Sequence, residues 1–195
     1  MIDLIKVSSE AQIADVAQLA REIWCEHYVP IIGQEQVDYM LGKFQSERAI
    51  AEQITEAYEY YIIAHHGKSV GYMAALSNME EASLMLSKIY VKKSARGRGF
   101  GQKMLGFIDN LCRHRAIKKI WLTVNKNNLH AISWYSRMGF INTASLIQEI
   151  GEEFVMDDFR MEKTIGQQTS TGNLIVSENP SVLKQTFTLT RATTP

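Results

Sequence analysis

The chain is 195 residues long and 46% hydrophobic, with Lys+Arg and Asp+Glu equal at 21 each. That length suits one well-buried core rather than two domains, and the charge balance leaves no global field for nucleic acid or an anionic membrane, so neither is expected as a partner. No run reaches the ~18 apolar residues of a spanning helix, Met1-Ile2-Asp3-Leu4 lacks the basic start of an export signal, and Cys25 and Cys112 lie far apart with no Cys/His cluster, which reads as free thiols of a cytoplasmic protein without a metal site.

In chain order, Ile2–Val7 is an alternating apolar strand. Ser8 and Ser9 followed by Gln12, then Ile13, Val16, Leu19, Ala20 and Ile23, predict a capped amphipathic helix. Pro30 and Gly33 break the chain, and Gln34–Phe44 and Ser46–Ala57 form two further helices. The runs Tyr60–Ala64 and Ser69–Leu76 flank His65-His66-Gly67-Lys68, a hairpin whose Gly67 supplies the turn. The solvated His65-His66 pair receives no ligand role. Leu84–Val91 is a third long strand. Phe100–Arg113 is a helix with an apolar stripe of Met104, Leu105, Ile108, Leu111 and Cys112. Strands at Lys118–Val124, Phe140–Gln148 and Phe154–Lys163 follow, with a short helix at Ala131–Met138. The pattern is α/β (α+β): an antiparallel N-terminal half and then a β-α-β unit, with helices flanking the sheet. Residues 1–165 make the domain. Residues 166–195 are polar, Thr-rich and poor in periodicity, which reads as a tail, with an extra strand or exchanged arm as the rival.

The segment Arg96-Gly97-Arg98-Gly99-Phe100-Gly101 stands between a strand and a helix. Glycines let the backbone approach an anion, and the unpaired N–H groups of the first helical turn point at it. A dinucleotide fingerprint starting at Gly97 needs glycine where Gln102 stands, and a P-loop needs G-K-[ST]. Neither fits. Arg96, Gly99 and Gly101 do fill [QR]-x-x-G-x-[GA], and Asn128 to Phe140 is similar to N-x-x-A-[IV]-x-[FW]-Y-x-[KR]-x-G-F. Together these resemble the GNAT superfamily of N-acetyltransferases, in its small-molecule and polyamine branch and its protein N-terminal branch.

That resemblance implies a mixed, mostly antiparallel central sheet with a β-α-β core that binds acetyl-CoA. It implies acetyl transfer to a primary amine by direct attack through a tetrahedral intermediate, without a metal. Ile89, Tyr90 and Val91 would pair with the pantetheine arm. Arg96, Gly97, Arg98, Gly99, Phe100, Gly101 and Gln102 would hold the pyrophosphate, Asn128 would contact the cofactor, and Tyr135 would stand at the sulfur as general acid. Duller readings exist for each: Tyr135 as a core aromatic, Asn128 as a helix cap, Arg98 as a solvated charge. Protein N-terminal relatives often carry a carboxylate five residues before the motif asparagine, where this chain has Thr123. That absence favours a small amine or polyamine over a peptide and leaves Glu26, His27 and Tyr90 as candidate bases acting through water. Glu80, Glu81, Glu152 and Glu153 are candidates for attracting a cationic amine. A protein N-terminal or lysine acetyltransferase and a non-catalytic acyl-CoA-binding module are the alternatives, and the sequence leaves the oligomeric state open, with a homodimer as one assembly to test for.

Overall fold

A computed structural model describes residues 2–166 of the chain. The expectations for the tail lie outside the described residues, apart from Gly166. The elements in order are β1 (Ile2–Lys6), α1 (Glu10–His27), α2 (Val29–Ile32), α3 (Gln34–Phe44), α4 (Glu47–Thr55), β2 (Glu59–His65), β3 (Lys68–Asn78), β4 (Ser83–Val91), α5 (Phe100–His114), β5 (Lys119–Asn125), α6 (Leu129–Arg137), β6 (Ile141–Gly151) and β7 (Phe154–Thr164). They build a 7-stranded sheet in the order β1-β2-β3-β4-β5-β7-β6. Pairing is antiparallel except between β4 and β5, which α5 connects as a parallel unit.

Local chemistry explains most boundaries. Ser9 Oγ accepts from the Gln12 amide at 3.3 Å while the Gln12 side chain accepts from the Ser9 amide at 3.2 Å, so two orphan donors are satisfied reciprocally at the start of α1. His66 and Gly67 both have positive φ (50° and 72°), the combination a tight two-residue hairpin turn requires. One expectation changes in detail. Pro30 does not simply end the helical region, because a first-turn proline needs no N–H partner. The chain restarts as the short α2 and is redirected at Gly33, whose φ is 83°.

Two cores lie on opposite faces of the sheet. One packs α5 against Leu84, Leu86, Ile120, Leu122 and Val124, with Tyr135 and Phe140 at its end. The other packs α1, α3 and α4 against Tyr60, Tyr72 and Ala74 and includes Ile150, Phe154 and Met156 of the last hairpin. β4 serves both through a bulge. Ala74 pairs with Lys88 but Ala75 pairs with Leu86, so Ser87 is an extra residue on β4. Before it, the even-numbered Leu84 and Leu86 face the α5 core; after it, Ile89 and Val91 do, and Lys88 and Tyr90 turn to the other face.

A charged knot ties the sheet to the C-terminal end of α5. Glu59 on β2 accepts from Arg115, at 3.1 Å for Nη2 and from Nη1 as well, and pairs with Lys6 at 3.0 Å, while Arg115 Nη1 also reaches Ser77 Oγ at 3.1 Å. Burial alone pushes the Glu59 carboxyl up, but the bonds from Arg115 and Lys6 outweigh it and hold it near about 2. A depressed carboxylate stabilises the fold above its unfolded value of 4.5, and that contribution fades as pH falls toward about 2. Glu59→Gln is therefore expected to lower Tm by roughly 4–8 °C at pH 7. The gap to wild type should close progressively in melting curves recorded below pH 4.5.

Candidate active site

The parallel pairing of β4 with β5 is brief, covering Ser83↔Lys119, Leu84↔Ile120 and Met85↔Trp121. Beyond Met85 the strands separate, and the β5-facing edge of β4 from Leu86 to Val91 has no strand partner among the described residues. A cleft of about 860 Å³ opens at this gap. Backbone N–H and C=O groups there need partners, and an extended amide-bearing chain lying along the edge supplies them as an added strand would.

At one end of the cleft lies the glycine loop. Arg96 Nε donates to the Val91 carbonyl at 3.1 Å and so pins the loop to the end of β4. Gly97 and Gly99 both have φ of 76°, in the left-handed region that side chains disfavour, and Gly99 is the N-cap of α5 without a side-chain cap. The first amides of α5 are thus left to a ligand, and with the helix dipole they suit a pyrophosphate. A Cβ on Gly101 would come within 2.9 Å of the Trp134 ring, so this glycine also lets α6 pack closely on α5. Ile89, Tyr90, Val91, Arg96, Gly97, Gly99, Phe100, Gly101, Gln102, Asn128 and Tyr135 all line the cleft. Arg98 does not, and it is exposed.

A Cβ at Gly99 would meet nothing within 4 Å, so a side chain there challenges the ligand rather than the protein, apart from the cost of positive φ. Gly99→Asn keeps a residue that tolerates this φ, and Gly99→Val does not. The Asn variant is expected to melt near wild type and bind CoA at least ~10-fold more weakly. The Val variant should lose both Tm and affinity. Calorimetric titration of CoA into a folded Asn variant checks this, and unchanged affinity would remove the loop from the site.

Asn128 caps α6 by accepting from the Ala131 amide at 3.3 Å, and its amide nitrogen lies 3.2 Å from His27 Nε2. The His27 imidazole is held below its usual pKa by burial and then by the Arg96 charge. A neutral ring with Nε2 as acceptor suits the Asn128 donor. Tyr135 stands on the α5 side, buried beside Trp134 (5.0 Å between ring centroids) and Phe140 (5.6 Å). Burial, and then the Tyr28 phenol, raise its pKa. It is therefore a protonated donor at neutral pH and not a base.

On the opposite face Trp24, Tyr28, Tyr72 and Tyr90 form an aromatic wall, with centroids at 4.4 Å for Trp24–Tyr28 and 5.3 Å for Tyr72–Tyr90. Asp158 of β7 lines the same wall. It is only 6% exposed, and no cation forms an ion pair with it among the described residues. Burial pushes its carboxyl up to about 6, with the neighbouring Asp157 charge adding to the rise, while a hydrogen bond from Thr123 and the Lys126 charge pull the other way. Asp158 pairs across the ladder with Asn125, so its carboxyl stands beside Thr123 on β5. Sequence reasoning did not find it.

The sequence model of the Acetyltransferase (GNAT) family matches residues 17–140. The chain belongs to this family. As a GNAT acetyltransferase it takes its acetyl group from acetyl-CoA. Relatives include the probable spermine N(1)-acetyltransferase of Bacillus subtilis subsp. natto, 29% identical over 118 residues, 56% of this chain and 75% of that protein. Another is an uncharacterized N-acetyltransferase of Lactobacillus delbrueckii subsp. lactis, 22% identical over 84% of this chain and 98% of that protein. Among solved structures, the Thermoplasma acidophilum PaiA N-acetyltransferase, in complex with coenzyme A, superposes with a TM-score of 0.70 at 19% identity, covering 84% of this chain and 99% of that one. The ribosomal-protein-S18-alanine N-acetyltransferase of Escherichia coli gives 0.65 at 18% identity, covering 90% and 100%.

In this GNAT site the candidate bases read from the sequence fare differently. Glu26 does not line the cleft; it lies 3.9 Å from Lys93. His27 lines it, but Nε2 faces Asn128. Tyr90 lines it as a phenol whose pKa burial drives well up. Glu80, Glu81, Glu152 and Glu153 lie outside the lining. Among the described residues no group of three metal-ligating side chains converges, and no helix is long and apolar enough to cross a membrane.

Proposed function

We propose that this GNAT enzyme acetylates the primary amine of a small molecule, with Asp158 as general base and Tyr135 as general acid. The observation that carries the small-molecule reading is the closure of the acceptor side by the β6–β7 hairpin. Tyr39 and Lys43 of α3 both donate to the Ile150 carbonyl, and Gln36 Nε2 donates to the Val155 carbonyl at 3.0 Å. The Tyr39 ring also packs against Phe154, tilted by 41° with centroids 5.2 Å apart. The hairpin is thereby fastened over α3, and the acceptor half is walled by α1, α3, α4 and the hairpin together. A peptide threading past this face would have to displace it.

The division of labour follows from the two faces. Bound acetyl-CoA supplies an activated thioester carbonyl at the β4–β5 gap. A main-chain N–H on the open edge of β4 is the donor for the developing oxyanion. Asp158, ionised above about 6, takes the proton of the attacking amine. Tyr135, on the other face, returns a proton to the departing sulfur. Asp158 stands where the sequence reading missed a carboxylate beside Thr123, so that missing carboxylate no longer discriminates between small amines and peptides. The hairpin closure now does.

The test is an acetyl-CoA consumption screen over polyamines, monoamines, amino acids and peptides with free N-termini. Polyamines belong in it because a relative bears the name of a spermine acetyltransferase. Turnover of small amines at least ~10-fold above any peptide in kcat/KM supports the reading; preference for a peptide overturns it. CoA binding without turnover of any amine would favour the non-catalytic module.

A further inference from the structure

The bulge at Ser87 turns a lysine into the acceptor side of the cleft. Lys88 lines the cleft and is 6% exposed, yet no carboxylate lies within ion-pair distance of it among the described residues. Its ammonium is held by neutral groups alone: Gln53 Oε1 at 2.7 Å, Ser87 Oγ at 3.2 Å, and the ring faces of Tyr60 (5.2 Å) and Tyr58 (5.6 Å). Two partly buried cations differ. Arg115 has Glu59 and Lys163 has Asp109 at 2.8 Å. Removing an ammonium from water without a counter-charge is costly, and here burial pulls the pKa down to about 8. On the same wall Trp24 Nε1 is buried, with the Tyr72 hydroxyl facing it.

Along the sheet these groups are neighbours. Ala74 pairs with Lys88 and Tyr72 with Tyr90, so Lys88 and the Trp24–Tyr72–Tyr90 wall occupy adjacent positions on one face. Asp158 lies on that face too, across the β4–β5 gap. At the outer rim Glu52 and Glu56 are exposed, and Glu52 is bonded to Arg48. The interior therefore offers a carboxylate at one place and an ammonium without a counter-charge at another. An acceptor complementary to it has opposite ends: an amine for Asp158 and an anionic oxygen group for Lys88.

We propose that the acceptor is a small amine that also carries an anionic oxygen group, a carboxylate or a phosphate, and that Lys88 receives that group. This rests on the acetyl-transfer reading and narrows its substrate class, away from polyamines, whose second end is cationic.

Matched substrates test it. Rates of acetyl-CoA consumption are compared for 4-aminobutyrate, 1,4-diaminobutane and butylamine, and for phosphoethanolamine against ethanolamine, with wild type and Lys88→Met. Wild type is expected to favour the anionic member of at least one series roughly ten- to hundredfold in kcat/KM, the carboxylate and phosphate series separating the two sources of the anion. In Lys88→Met the ratio within that series should fall toward one, with the loss in KM. A second readout needs no turnover. Butyrate or inorganic phosphate should raise the Tm of the CoA-bound wild-type protein and not that of the CoA-bound variant. A preference for the diamine, a ratio unchanged by the substitution, or no anion-dependent Tm shift overturns the proposal. Failure of the whole amine panel alongside a Lys88-dependent Tm shift would instead fault acetyl transfer and leave the anion site standing.

Discussion

Asp158→Asn is expected to lower kcat/KM by ~10²–10⁴-fold while acetyl-CoA binds as before, because the substitution keeps the shape and removes the proton acceptor. The pH profile is the sharper reading. With the carboxyl raised to about 6, wild-type kcat/KM should climb with pH through that value, and the variant should lose that limb. Stability moves the other way. A carboxylic acid whose folded pKa exceeds its unfolded value of 3.8 binds its proton more tightly when folded, so its contribution is complete below 3.8 and is lost as pH rises through about 6. Asp158→Asn should therefore melt higher than wild type at pH 7 and alike near pH 3.5. A less active but more stable variant is the mark of a charge buried for function. Unchanged activity, or a drop in Tm at pH 7, would return Asp158 to a structural role.

Tyr135→Phe is expected to cut kcat by ~10²–10⁴-fold with little change in CoA affinity. The ring contacts with Trp134 and Phe140 persist, so stability is not the cause. Pre-steady-state measurement separates the outcomes. If the Kd of acetyl-CoA rises and kcat holds, the phenol only binds; if neither changes, the thiolate takes its proton from water.

The glycine loop was legible because its demands are local: positive φ at Gly97 and Gly99 and free amides opening α5. The capping box at Ser9 and Gln12 and the His66-Gly67 turn were legible for the same reason. The residues proposed for the acceptor side were not, because their placement depends on distant pairing. Asp158 reaches the cleft only because β7 inserts between β5 and β6. One signal was available. Along β7 Asp158 is in phase with Phe154 and Met156, so this carboxylate shares the parity of core-facing residues. Lys88 was hidden more deeply. Strict alternation puts it in phase with Leu84 and Leu86, on the α5 face, and the extra residue at Ser87 reverses that parity.

The two cores bear on how this enzyme can change over time. The α5 face is built mostly from residues 84–140 and carries the donor's loop, while the other face draws on α1, α3, α4 and the last hairpin. Substitutions that reshape the acceptor wall at Met40, Gln53 or Met156 leave the glycine loop untouched. Choice of amine can drift, or be re-engineered by grafting a relative's first four helices and terminal hairpin, while the donor machinery stays as inherited. β4 is the seam, and a loss of Ser87 would be felt on both sides at once.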